Sequence, residues 1–177
     1  SELYSDSELF EWAKQNLPQK AILRHLTTSA PKREWKGWAD LYNLAQPLRD
    51  RMVFMSGPSP RERAVLEAFK QKVPQARVID PVPSVDHLMA LIDQASAQIS
   101  GDSAPAHLAA GLGTPYVVLF GPASLSQWHP GGLGAVLVAP NCECIGATKV
   151  CLRARPCFAD ISANQVYAAL QLQLGNA

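Results

Sequence analysis

One stretch of the chain restricts its fold more than any other: Ile99-Ser100-Gly101-Asp102-Ser103-Ala104-Pro105-Ala106-His107-Leu108-Ala109-Ala110-Gly111-Leu112-Gly113-Thr114-Pro115, followed at once by Tyr116-Val117-Val118-Leu119-Phe120-Gly121-Pro122. It reads as strand, tight polar turn, short helix and second strand. Residues 97–100 form a short strand that Gly101 lets the chain leave sharply. Asp102 or Ser103 is placed to cap a helix, and Pro105 falls in the first turn, where a helix tolerates proline best. Gly111 and Gly113 are expected to end that helix after about two turns. Residues 116–120 are an unbroken apolar run, as in a strand covered on both faces. A helix N-terminus is thereby aimed at the space beyond a strand's carboxyl end, where open α/β sheets place their ligands. Its free N–H groups and dipole favour an anion, and a diphosphate suits the place. Asp102 is the odd residue, because a carboxylate pointed at phosphate would repel it. It serves instead as a cap, or accepts hydrogen bonds from ligand hydroxyls or a nearby cation. The plain alternative is that Asp102, Ser103 and His107 are only caps and turn residues.

The same alternation runs through the rest of the chain. Asp6 can cap a helix from Ser7 to about Asn16, with Leu9, Phe10, Trp12 and Ala13 on its apolar side and Pro18 as its stop. A strand over 21–26 precedes a polar loop. A helix over 38–48 presents Leu41, Leu44, Ala45 and Leu48 to a core. A strand over 52–55 ends at Ser56-Gly57-Pro58, and Pro60 opens a helix through Val73 with Val65, Leu66 and Phe69 inward. Then come a strand over 77–79, a Ser84-capped helix to Gln94, a strand over 135–138 and a helix over 161–174 with Val166, Leu170 and Leu174 on one side. About six strands alternating with helices predict one Rossmann-like domain over 1–177, a three-layer α/β/α arrangement with a mostly parallel sheet.

Composition narrows the function classes. At 177 residues, with 47% hydrophobic and 18% charged residues, the chain can fill one globular core. A net charge of +1 gives no electrostatic ground for a nucleic-acid partner. No apolar run approaches the roughly 20 residues of a membrane span, and no leader pattern is read at the start. Opening at Ser1 rather than Met points to a piece of a longer protein. All four cysteines fall within residues 142–157, unlike the dispersed framework of a secreted mini-protein, so the expected setting is reducing and cytoplasmic.

After the first strand the chain reads Leu26-Thr27-Thr28-Ser29-Ala30-Pro31-Lys32-Arg33-Glu34-Trp35. Hydroxyls and amides in a strand-to-helix loop can cradle phosphate, and Lys32 adds a compact positive charge. The loop has no glycine, so it is neither a Walker loop nor a dinucleotide fingerprint. A solvated polar loop is the simpler account.

Together, Gly101-Asp102-Ser103-Ala104-Pro105-Ala106-His107-Leu108-Ala109-Ala110, Gly113-Thr114-Pro115 and Leu119-Phe120-Gly121-Pro122 resemble the donor-site signature of the heptosyltransferase family of glycosyltransferases. Thr27-Thr28 with Lys32 four residues later is similar to that family's second donor motif, although Trp35-Lys36-Gly37-Trp38 departs from the usual Trp-Pro nearer the lysine. The resemblance implies the C-terminal, donor-binding half of a two-domain GT-B fold. The implied reaction is inverting transfer of a sugar, heptose from ADP-heptose, onto a lipopolysaccharide-type or protein acceptor bound by an N-terminal domain outside this chain. No cofactor would be required for transfer. A nucleotide-sugar donor is the implied partner, and peripheral association with the inner membrane stays open. A non-catalytic nucleotide-sugar or partner-binding module and half of a GT-B-fold sugar-nucleotide epimerase are the alternatives.

The same resemblance assigns roles. Lys32 and Asp102 would act in catalysis, and Thr27, Thr28, Lys32, Asp102, Ser103, Ala104 and His107 would bind the donor, with Lys32 and the hydroxyl pair holding its diphosphate. Where the family has an acidic ribose-binding residue after a glycine turn, this chain has Ser59, with the candidate Glu62 a turn later; by default Glu62 is a first-turn acid favoured by the helix dipole. Asp80-Pro81-Val82 and Met89 could border the base. His25, His87 and His129 have no comparable context, and His25 and His87 are taken as structural. Cys142, Cys144, Cys151 and Cys157, separated by one, six and five residues, could hold zinc or iron tetrahedrally, or remain thiols. They lack a C-x-x-C knuckle, but an iron-bound variant occurs among relatives that glycosylate autotransporters.

Overall fold

Alternating strands and helices assemble here into one sheet with helices on both faces. The computed structural model describes residues 7–121, 130–132, 134–139, 154 and 157–175. Among these, six strands run in parallel: β1 (Ile22–His25), β2 (Met52–Met55), β3 (Arg77–Val78), β4 (Ala97–Gly101), β5 (Tyr116–Phe120) and β6 (Ala135–Val138). Their order across the sheet is β3-β2-β1-β4-β5-β6. The helices are α1 (Ser7–Asn16), α2 (Trp38–Leu44), α3 (Pro60–Lys72), α4 (Val85–Gln94), α5 (Ala104–Leu112) and α6 (Ala163–Gly175).

Side chains alternate along each strand, and both faces of the sheet are covered, so both sets are apolar. Ile22, Met52, Phe54, Ile99, Val117 and Leu119 pack beneath α2, α3 and α6. Leu23, Val53, Met55, Val118 and Phe120 pack beneath α1, α4 and α5. The strand order reverses between β1 and β4, whose register pairs His25 with Ser100. Chains leaving those neighbouring strands turn to opposite faces, which opens a crevice at their carboxyl ends.

Several expectations are corrected in detail. The helix expected over 38–48 stops at Leu44 and continues as a 3-10 turn over Gln46–Arg51. Pro47 is the reason, since its ring lacks an N–H and disfavours helical geometry just before it. Leu44 is exposed, as is Phe10 on α1. Gly111 does not terminate α5; the helix continues to Leu112, and Gly113 closes it in the left-handed region at φ 75°. Ile161 lies before α6 and is buried, following a 3-10 turn over Cys157–Asp160. Asp6, Pro122 and His129 lie outside the described residues.

Candidate functional site

The loop after β1 is braced from within. Thr27 and Thr28 are both buried. The Thr27 hydroxyl donates to Glu62 Oε1 at 3.1 Å and accepts from the Gly57 amide at 2.9 Å. The Thr28 hydroxyl donates to the Ala30 carbonyl at 2.7 Å and accepts from the Ala30 amide at 3.1 Å, a local turn. A 3-10 turn over Pro31–Arg33 then carries Lys32, which is exposed. Behind it the carboxylate of Glu34 is buried and accepts from Arg61 at 2.7 Å, Lys36 at 3.2 Å and the Thr28 amide at 3.3 Å. Arg61 also donates to the Thr28 carbonyl. Lys32 therefore sits on a loop that one ion pair and two hydrogen bonds tie to α3.

The turn after β4 lies against this loop. A Cβ on Gly101 would stand 3.0 Å from Thr28 Cγ2 and 3.4 Å from the Arg33 carbonyl, so glycine permits the close approach. The N-cap of α5 is Ser103, not Asp102, and its hydroxyl makes no capping bond; it donates to the Gly101 carbonyl at 3.3 Å. Asp102 is 5% exposed and accepts from Arg33 Nη1 at 3.2 Å. The cation foreseen near Asp102 is thus Arg33, supplied by the other loop. Ala104 and His107 are exposed on the first turn of α5. Thr27, Thr28, Lys32, Asp102, Ser103, Ala104 and His107 are all carried by two touching segments at the crevice.

Beside this junction is a cavity of about 220 Å³, lined in part by His25, Ser56, Gly57, Pro58, Asp80 and Pro81. Val82 lines it too; Met89 does not. Arg63 pairs with Asp80 at its edge through bonds of 2.9 and 3.1 Å. His25, taken as structural from sequence, therefore faces the site. Its Nδ1 lies 3.0 Å from the Thr27 carbonyl, and a carbonyl can only accept, so the neutral ring carries its proton on Nδ1. Burial lowers the pKa of His25 against the opposing pull of the Thr27 carbonyl and the Glu62 and Glu34 charges. Glu62 is not part of the lining. It completes a capping box with Ser59 at the start of α3. Burial alone would raise its pKa, but hydrogen bonds from Ser59 and Thr27 and the charge of Arg61 prevail and lower it. A larger cavity, about 460 Å³, lies at the amino ends of β5 and β6 beside Gly113, Pro115 and Tyr116, away from these groups.

Sequence reasoning did not find Arg33, Glu34 or Arg61 as site residues. Their partners lie up to 69 positions away, and no local spacing marks them. Of the cysteines, Cys142, Cys144 and Cys151 lie outside the described residues, and Cys157 is buried. Among the described residues no group of three or more His, Cys, Asp or Glu side chains could hold a metal ion. No helix among them is long and apolar enough to cross a membrane.

Comparison with known proteins finds relatives in sequence and in fold. Residues 2–158 match the family model of glycosyltransferase family 9 (heptosyltransferase). The chain is 36% identical over 81 residues to lipopolysaccharide heptosyltransferase 3 of Escherichia coli, an alignment spanning 45% of this chain and 24% of that protein. It is 27% identical over 128 residues to the lipopolysaccharide core heptosyltransferase OpsX of Haemophilus influenzae, spanning 67% of this chain and 36% of that one. Its fold superposes on E. coli heptosyltransferase WaaC, solved with ADP, at a TM-score of 0.67 and 20% identity, over 98% of this chain and 51% of WaaC. The matches thus take in a quarter to a half of each relative's length.

Proposed function

The chain belongs to glycosyltransferase family 9, the heptosyltransferases, and from that premise we propose that it is the domain that holds a nucleotide-sugar donor, ADP-heptose, for inverting transfer to a lipopolysaccharide-type acceptor. The observation that carries this reading is the meeting of two loops at the sheet's switch point, with Gly101 against Thr28 and Asp102 paired to Arg33. Between them a helix N-terminus and an exposed lysine border one crevice, and a cavity of nucleoside size adjoins it. WaaC, which shares the fold, was solved with ADP.

In this reading the diphosphate lies between Lys32 and the amides of Ser103 and Ala104, with His107 one turn further along α5. Thr27 and Thr28 shape the turn that presents the loop, and their hydroxyls exchange their present partners where they meet phosphate oxygens. Asp102 serves the turn and the donor's hydroxyls, and Glu62 lies toward the ribose. Transfer requires an acceptor oxygen to attack the anomeric carbon while the nucleoside diphosphate departs. This half contributes an oriented donor and positive charge for the leaving group, preorganised before the reaction. The acceptor and the general base belong to a second domain of a longer protein, placed in the cytoplasm.

Calorimetric titration with ADP, GDP, UDP and ADP-heptose tests the proposal. ADP and ADP-heptose are expected to bind, with little transfer by this chain alone. Lys32→Ala should weaken diphosphate binding by about tenfold to a hundredfold, the loss of one charge-assisted contact. Its melting temperature should stay close to the parent's, because the residue is exposed. An absence of binding to any of these nucleotides at millimolar concentration would sink the proposal.

A further inference from the structure

Arg33 stands in neither donor motif, yet it joins them. Its guanidinium reaches from the loop after β1 to Asp102 on the turn after β4, at 3.2 Å, and the Arg33 side chain is largely buried. Asp102, 5% exposed, lies at the mouth of the crevice where a diphosphate is proposed. A carboxylate shielded from water there repels an anion more strongly than one in solvent, since little dielectric intervenes. A guanidinium held against it cancels that repulsion. Arginine suits the task because it stays charged and offers several donors in a rigid fork.

We propose that Arg33 is the charge-matching residue of the donor site: held against Asp102, it neutralises that carboxylate beside the diphosphate. The proposal rests on the donor-site reading above and adds to it the reason an acidic residue can stand beside two phosphates. It also predicts a dependence between the two residues that a plain stabilising ion pair lacks. Removing Arg33 takes away a positive charge held 3.2 Å from the Asp102 carboxylate and so strengthens its repulsion of the diphosphate, and removing that carboxylate as well relieves the repulsion.

The test titrates the parent, Arg33→Met and the double variant Arg33→Met/Asp102→Asn with inorganic pyrophosphate, ADP and adenosine, each at a temperature where the variant is folded. Arg33→Met should weaken pyrophosphate and ADP by about tenfold or more, the scale of one charge-assisted contact, without a matching loss for adenosine. The double variant should regain most of the lost pyrophosphate affinity. Unchanged pyrophosphate binding in Arg33→Met, or a double variant as weak as the single one, overturns the proposal. Should Arg33→Met fail to fold, Arg33→Lys and Arg33→Gln/Asp102→Asn replace it: both should bind pyrophosphate better than Arg33→Gln, and equal weakness in all three overturns it. If the parent binds none of the probes, the donor-site reading itself fails; if the parent binds and the variants match it, only the role of Arg33 fails.

Discussion

His25 shows how much chemistry one buried side chain can carry outside any motif. Its pKa lies below the ordinary 6.5 because burial disfavours the imidazolium. The unfolded chain therefore takes up a proton at pH values where the folded chain does not. Stability is complete above pH 6.5 and is lost as pH falls from there toward the folded pKa, with a limiting slope of about 1.4 kcal/mol per pH unit for one proton. Glu62 acts in the same direction over a lower window: its pKa is depressed from 4.5, so its contribution is present above that value and disappears as pH falls through the folded pKa. Urea unfolding of the parent and His25→Phe at pH 5, 6 and 7 separates the two. The variant should be less stable at pH 7, having lost the bond to Thr27, and its stability should vary less between pH 7 and 5. Equal slopes in the two proteins would mean that His25 is not the group that titrates.

At the scale of elements, the entry to α3 ties the cavity to the loop after β1. Ser59 and Glu62 cap the helix reciprocally, and the same Glu62 carboxylate accepts from Thr27. Gly57 makes room for it, since a Cβ there would stand 2.1 Å from Glu62 Oε1. Gly57→Ala should therefore push the carboxylate away and destabilise the protein by about 1–2 kcal/mol, the scale of a lost cap. In a Glu62→Ala background the same substitution should cost far less, because nothing remains to displace. Denaturation of the four proteins in this cycle gives the coupling directly; additive effects would show that Gly57 matters for another reason. Ser59 and Glu62 make the capping box within four residues of chain, whereas the Thr27 hydroxyl that joins it comes from 35 positions away.

Across the whole molecule, the C-terminal segment closes the face of the sheet opposite α4 and α5. Phe158, Val166 and Leu170 are at most 1% exposed, and the Trp35 indole donates to the Ile161 carbonyl at 2.8 Å, joining residues 126 positions apart. At about 1.5–3 kcal/mol per buried apolar side chain, those three contribute roughly 5–9 kcal/mol. That is comparable to the whole stability of a typical domain, about 5–15 kcal/mol. A chain ending before residue 157 should lose its cooperative unfolding transition, as followed by circular dichroism and tryptophan fluorescence. A truncated chain that melts cooperatively near the parent's temperature would show that this face is closed by other means.

Local order is written in the amino acids themselves. The apolar runs at 52–55 and 116–120, the Ser84 cap and the αL glycine at 113 sit where their spacing indicates, because helix and strand periods and cap chemistry act within a few residues. The loops at 26–35 and 101–107 could be marked as candidates for the same reason. Sequence periodicity could not show that Phe10 and Leu44 would fall outside the core, since a helix's apolar stripe says nothing about how far the neighbouring layer extends. Nor could it show that β1 and β4 are neighbours, that Arg33 would meet Asp102, or that Arg61 would reach Glu34. Those pairings depend on strand order, which is settled by packing both faces of the sheet at once, and so only the tertiary structure brings the two loops into one site.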